Sequence, residues 1–303
     1  MNKTTFSRKK IERMIYFNHF PHFLLSFLLL FSSGCSFNKK VESIKTSANR
    51  TEALIIDHTC TDISQIPECW INKAKAEFGI SYGHTSHGSQ IVSGMKVLMD
   101  QSSLYSFGEY RSKKILSFYD REPRGDLGNP DRITWAKRTR DLLEAGWGDT
   151  NIIIWSWCGQ VSNADEEDIN TYLRLMNQLE TDYPHVTFIY MTGHLNGYGE
   201  KGNVNIRNNQ IRNFCKQNNK ILFDFADIES CDPDGNYFLD KGADDKCNYR
   251  VNGIRKNWAE EWCNANPGKC PTCSCAHSKS LNCYLKGKAF WWMMARLAGW
   301  SPY

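Results

Sequence analysis

Beyond residue 34 the sequence has no surplus charge of either sign. The net charge of +4 over 303 residues is supplied by Lys3, Arg8, Lys9, Lys10 and Arg13 against Glu12. A neutral body gives no general electrostatic reason to bind nucleic acid. Long hydrophobic runs are also missing. The apolar stretch Phe23–Phe31 falls well short of the roughly 20 residues that span a bilayer. No internal repeat and no second hydrophobic core is visible, which excludes repeat arrays. Charged residues at 23% and aromatic residues at 13% exclude a disordered or collagen-like chain.

What is present first is a leader. A basic stretch precedes Phe23–Phe31, and the small residues Ser32-Ser33-Gly34 precede Cys35. This matches a secretory apolar segment, and its end resembles a bacterial lipobox, in which Cys35 would be lipidated and become the N-terminus. The expectation is a signal peptide over 1–34, a lipidated Cys35 with a flexible polar tether over 35–52, and one domain over 53–303. The protein would be exported and held by its lipid at a bacterial membrane, in the periplasm or at the cell surface. Plain secretion and a retained anchor are the alternatives.

The 12 cysteines agree with export, where disulfides persist. Setting Cys35 aside leaves an odd number, so at least one thiol stays free. Cys60 with Cys69 and Cys231 with Cys247 would close short loops. Five cysteines between Cys263 and Cys283, including Cys270-x-x-Cys273-x-Cys275, read as a disulfide-stapled loop in preference to a zinc site.

Four short β-branched or aromatic runs, Phe78–Tyr82, Ile152–Trp157, Val186–Met191 and Ile221–Phe225, read as buried strands. Helical patterns cover Gln90–Met99, Arg132–Ala145, Glu166–Leu179, Val204–Gln217 and Tyr284–Leu297. The alternation predicts an α/β fold, a three-layer α/β/α sandwich on a parallel sheet. Such sheets place their sites beyond the carboxyl ends of the strands. Gly83-His84-Thr85-Ser86-His87-Gly88, Cys158-Gly159-Gln160, His194-Leu195-Asn196 and Asp227 all fall there.

Ser86 lies on a strand-to-helix turn, a placement that exposes a nucleophile near free backbone N–H groups. His277, on the loop before the last helix, would be its base. With Gly83-His84-Thr85-Ser86, Gly128, Trp157-Cys158-Gly159-Gln160 and Ser274-Cys275-Ala276-His277 before a helix bearing Gly287, the layout resembles the SGNH (GDSL-like) hydrolases. That resemblance covers roughly residues 76–298 and implies a flavodoxin-like fold. It also implies an exported serine esterase that removes acyl groups, such as acetyl, from a carbohydrate or other polar ester. Ser86 and His277 would be catalytic, and the oxyanion would be held by Ser86, Gly128 and Gln160. Asp227 is the leading source of an orienting acid, since Ser274 stands where that family carries aspartate. His84, His87, His194 and Asn196 would line the substrate pocket. No cofactor, metal or nucleic-acid partner is expected.

Two rivals use the same edge. His84, His87, His194 and His277 would suit a zinc hydrolase, and a pseudo-hydrolase could bind glycan through tryptophan and tyrosine. Trp291 and Trp292 read as core. Asp232-Pro233-Asp234-Gly235-Asn236 reads as a turn and not a calcium loop, because its glycine comes too early.

Overall fold

The computed structural model describes residues 50–302 apart from Arg111. The leader, Cys35 and most of the tether lie outside the described residues. No helix among those described is long and apolar enough to cross a membrane.

Nine strands form among the described residues, β1 Leu54–Ile56, β2 Gly79–Gly83, β3 Phe107–Gly108, β4 Leu116–Asp120, β5 Ile152–Trp155, β6 Thr187–Met191, β7 Ile221–Phe223, β8 Asn248–Val251 and β9 Ile254–Asn257. The helices are α1 Glu68–Glu77, α2 Ser89–Gln101, α3 Thr134–Glu144, α4 Glu166–Asp182, α5 Asn203–Gln217, α6 Phe225–Ser230, α7 Trp258–Ala265 and α8 Ser280–Leu297. The first seven strands make one sheet in the order β1-β7-β6-β5-β2-β4-β3, parallel throughout. β8 and β9 pair as a separate hairpin.

Alternation along each strand divides the core. Ile80, Tyr82, Ile152, Ile154, Ile189 and Met191 face a layer containing α1, α2 and α8. Ile153, Trp155, Phe188, Tyr190 and Leu222 face α3, α4 and α5. The expected three-layer α/β/α sandwich is therefore present. Its chain order reverses between β2 and β5, which are neighbours; the crevice above such a reversal is where these sheets bind ligands.

Several boundaries differ from expectation. The Ile152–Trp157 strand stops at Trp155, and Trp157 instead bridges to Leu127. The Ile221–Phe225 strand stops at Phe223 because Asp224 caps α6 by accepting from the Asp227 N–H. Short β1, β3 and β4, the hairpin, and α1, α6 and α7 had no strong sequence pattern.

α8 lies against α2 through two glycines. A Cβ on Gly94 would sit 1.8 Å from the Cys283 carbonyl oxygen, and one on Gly287 would sit 2.3 Å from the Gly94 carbonyl carbon. This contact brings the start of α8, and the loop before it, beside the turn that starts α2.

The two short-loop pairings that the spacing allows do not form. Cys60, Cys231 and Cys247 are free and buried, while Cys69 is committed to a disulfide. The Cys231 thiol interacts with the His58 ring, and Cys247 faces the Ser278 hydroxyl at 3.6 Å. Within the cysteine-rich loop, Cys263–Cys270 and Cys275–Cys283 are bonded, as a stapled loop requires, and Cys273 is free. Asp232 closes the expected turn by accepting from the N–H groups of Asp234 and Asn236 at 3.0 and 2.9 Å. Trp291 and Trp292 are core residues, as are Trp155 and Trp157, so none of the four is available to stack on a sugar.

Candidate active site

β2 ends in Gly83, and the chain turns through residues 84–88 into α2. The turn is tight because Tyr82 Oη donates to the Gly88 carbonyl at 3.1 Å. Gly88 is needed there for space: an added Cβ would lie 2.4 Å from His84 Cβ. The turn is tied to β4 as well, since His84 contacts the Thr85 carbonyl at 2.7 Å and Asp120 at 2.8 Å. His84 is thus a buried brace at 2% exposure, and α2 begins without a side-chain cap.

His87, just ahead of α2, points to the mouth of β5. Its Nδ1 lies 3.2 Å from Cys158 Sγ and its Nε2 lies 3.1 Å from Asp245 Oδ2. The three side chains form a thiol–imidazole–carboxylate line. Burial alone would push the His87 imidazole down, but the bonds to Asp245 and Cys158 raise it to about 9. The same His87 bond outweighs burial at Cys158 and lowers its thiol to about 6, with further help from Ser86. Burial would raise the Asp245 carboxyl, yet His87 holds it below the ordinary range. Both shifts favour a thiolate–imidazolium pair.

The backbone explains how Asp245 arrives from so far along the chain. Asn196 and Asp244 form an isolated bridge. The Asp244 carboxylate accepts from the N–H groups of Lys246 and Asn248, both at 2.9 Å. Asn196 thus anchors the segment through the backbone.

Two further imidazoles sandwich His87. His194 stacks on it with centroids 3.7 Å apart and planes 1° apart; His277 stacks on the other contact at 4.4 Å and 14°. His194 Nδ1–H donates to the Leu195 carbonyl at 2.7 Å, and burial pushes its pKa down. His277 occupies a left-handed conformation, φ 61°, in the loop tied by Cys275–Cys283.

The expected Ser86–His277 pair is not hydrogen-bonded among the described residues. Ser86 Oγ instead lies 3.5 Å from Cys158 Sγ, and His277 reaches the site through its ring stack. Gln160 is at the site, but its Nε2 donates to Asp126 at 2.6 Å while its Oε1 accepts the Cys158 N–H at 3.1 Å. Its amide holds the backbone of Cys158 and is not aimed at an oxyanion. Gly128, with φ 86°, lies against Gln160 and Trp157. Asp227 is elsewhere: it accepts from the His58 backbone N–H at 2.9 Å and contacts the His58 ring at 2.6 Å, which leaves it no part in orienting His277. Sequence reasoning counted Cys158 with the disulfide cysteines and so missed its contact with His87. The available signal was its place directly after a buried strand.

His87, Asp245 and His277 offer ligand atoms within 4.8 Å of one another. Nearly parallel rings, however, send their in-plane lone pairs side by side and not toward one point, a poor arrangement for tetrahedral zinc. A cleft of about 570 Å³ opens next to the turn, lined among others by Thr85, Glu109, Tyr119, Arg121, Arg124 and Trp147. Trp147 is 46% exposed there.

Compared with known proteins, the chain matches no family model and no curated protein.

Proposed function

We propose that the protein is an acyl hydrolase of SGNH-like layout in which Cys158, and not Ser86, is the nucleophile. The observation that carries this reading is the Cys158–His87–Asp245 line, with contacts of 3.2 and 3.1 Å. The Cys158 thiolate attacks the carbonyl carbon of a polar ester, forming a C–S bond. The His87 imidazolium gives its proton to the departing alkoxide as the C–O bond breaks. Water then attacks the thioester, His87 takes the water proton, and the thiolate leaves with the carboxylic acid as product. Asp245 holds the imidazole in register through both steps, and the Ser86 hydroxyl donates to the thiolate. The developing oxyanion would be received by backbone N–H groups of the turn that leads into α2, ahead of Gln90 and Ile91, whose N–H groups are committed to the His87 and Gly88 carbonyls. The adjoining cleft, with an exposed tryptophan and both charge signs, suits a carbohydrate carrying a small acyl group. Export and attachment through Cys35 belong to the same proposal.

The test is a screen of the purified protein against acetylated sugars and short acyl esters, with Cys158→Ala, Cys158→Ser and Ser86→Ala beside the wild type. Loss of turnover in Cys158→Ala with retention of a substantial part in Ser86→Ala supports the thiol mechanism, as does an acyl adduct on Cys158 by mass spectrometry. Full activity in Cys158→Ala defeats it. Stoichiometric metal and chelator-sensitive turnover would defeat it as well.

A further inference from the structure

One charged pair lies where solvent does not reach. Lys286 on α8 and Glu229 on α6 are both 0% exposed, with Nζ 2.5 Å from Oε1. Lys286 also donates to Gln90 Oε1 on α2 and stands 3.6 Å from the Phe225 ring centre. Each partner then reaches one bond farther. Gln90 Nε2 donates to the carbonyl of Ala276, next to His277, at 2.7 Å. Glu229 Oε2 accepts the N–H of Leu195, next to His194, at 2.8 Å. A buried ion pair is seldom needed for stability, since apolar side chains of similar volume often serve as well or better. This pair reaches the backbone of both loops that carry the outer imidazoles, Glu229 directly and Lys286 through Gln90.

We propose that Lys286, through Gln90 and Glu229, is a positioning residue that fixes His194 and His277 on either side of His87 and thereby keeps His87 Nδ1 on Cys158 Sγ. The inference rests on the Cys158–His87–Asp245 reading. An imidazole hydrogen bond is directional, so tilting the ring out of its plane moves Nδ1 off the sulfur. Neighbouring rings centred 3.7 and 4.4 Å away leave little room for that tilt. The charged and titratable groups around the thiol–imidazole pair are Asp245, Asp126, His194, His277, Glu229 and Lys286, and the last two hold the positions of the other imidazoles. Gln90 is the informative member because its side chain carries no charge and bonds only to Lys286 and Ala276, while its link to His87, backbone N–H to carbonyl at 3.1 Å, survives any side-chain substitution.

The experiment follows alkylation of Cys158 by iodoacetamide against pH, read by peptide mass spectrometry on the full chain, with thermal melts in parallel. Gln90→Leu removes both of its bonds. Gln90→Glu keeps an acceptor for Lys286 but removes the donor to Ala276. Both variants should melt as folded proteins while the thiolate midpoint moves from near 6 toward the ordinary value of 9, slowing alkylation at pH 6.5 about tenfold. Glu229→Gln should shift it in the same direction. If Lys286→Met does not fold, the Gln90 variants decide alone. A wild-type midpoint in folded Gln90→Leu and Gln90→Glu overturns the positioning role while leaving the thiol mechanism intact. A wild-type thiol that shows no enhanced alkylation at pH 6.5 overturns that mechanism, and the positioning role with it.

Discussion

His87 and Cys158 lie 71 residues apart in the chain and 3.2 Å apart in space, with the imidazole Nδ1 directed at the thiol. The other nitrogen is on Asp245, so the ring is held at both ends. Asp245→Asn should release one end. The expected result is a fall in kcat by up to about 10⁴, the loss seen when the orienting acid of a triad is removed, with little change in melting temperature. His87→Ala should raise the Cys158 titration from about 6 toward its ordinary value, measurable by thiol alkylation.

Gly94→Ala should be strongly destabilising. Its new methyl would meet the Cys283 carbonyl at 1.8 Å, and a backbone oxygen cannot rotate aside. Overpacking at such a contact costs about 3 kcal/mol or more, readable as a lower urea midpoint. Gly159→Ala, where an added methyl meets nothing within 4 Å, is the matched control and should leave the midpoint nearly unchanged.

The His58–Asp227 pair predicts a stability that depends on pH from both sides. The bond to Asp227 raises His58 from 6.5 to about 10. Its stabilisation is therefore complete below pH 6.5 and lost as pH climbs toward 10. At Asp227 burial acts upward, but His58 depresses the carboxyl below its ordinary 3.8, so that contribution is lost as pH falls through the acid range. The melting-temperature gap between wild type and His58→Leu should be widest between about pH 4 and 6.5 and shrink toward pH 10. A gap that stays constant from pH 6 to 10 would refute the assignment.

Trp147→Ala tests the cleft. It should raise KM for an acylated oligosaccharide about tenfold, the order of one lost aromatic contact, and leave turnover of a small aryl acetate unchanged. Equal loss on both substrates would place Trp147 outside the binding surface.

The layers of the fold were legible because runs such as Ile152–Trp155 are fully buried and their alternation signals two covered faces. Strand β4, next to the edge, was not, since Leu116–Asp120 ends in residues only partly buried and carries little pattern. Ser86, His87, Gln160, His194 and His277 were legible as a neighbourhood because strand ends and loop positions locate them. Their partners were not legible. Asp245 reaches His87 through the Asn196–Asp244 bridge and an Asx turn, contacts that no local spacing encodes. Asp227 was misplaced for the converse reason: it follows a strand at the right edge but lies beside β1, where His58 claims it. Lys286 is invisible to pattern reading, because a lysine on an amphipathic helix ordinarily faces water.

The Cys275–Cys283 bond has a practical consequence for anyone handling the protein. A thiol nucleophile loses function when oxidised and is usually kept alive with a reducing agent. Here the same reagent can open the staple that closes the His277 loop. Activity measured against reductant concentration should therefore rise, pass through a maximum and fall, with the falling limb absent from a Cys275→Ser/Cys283→Ser variant. A preparation tested only with none, or only with excess, would look inert for opposite reasons.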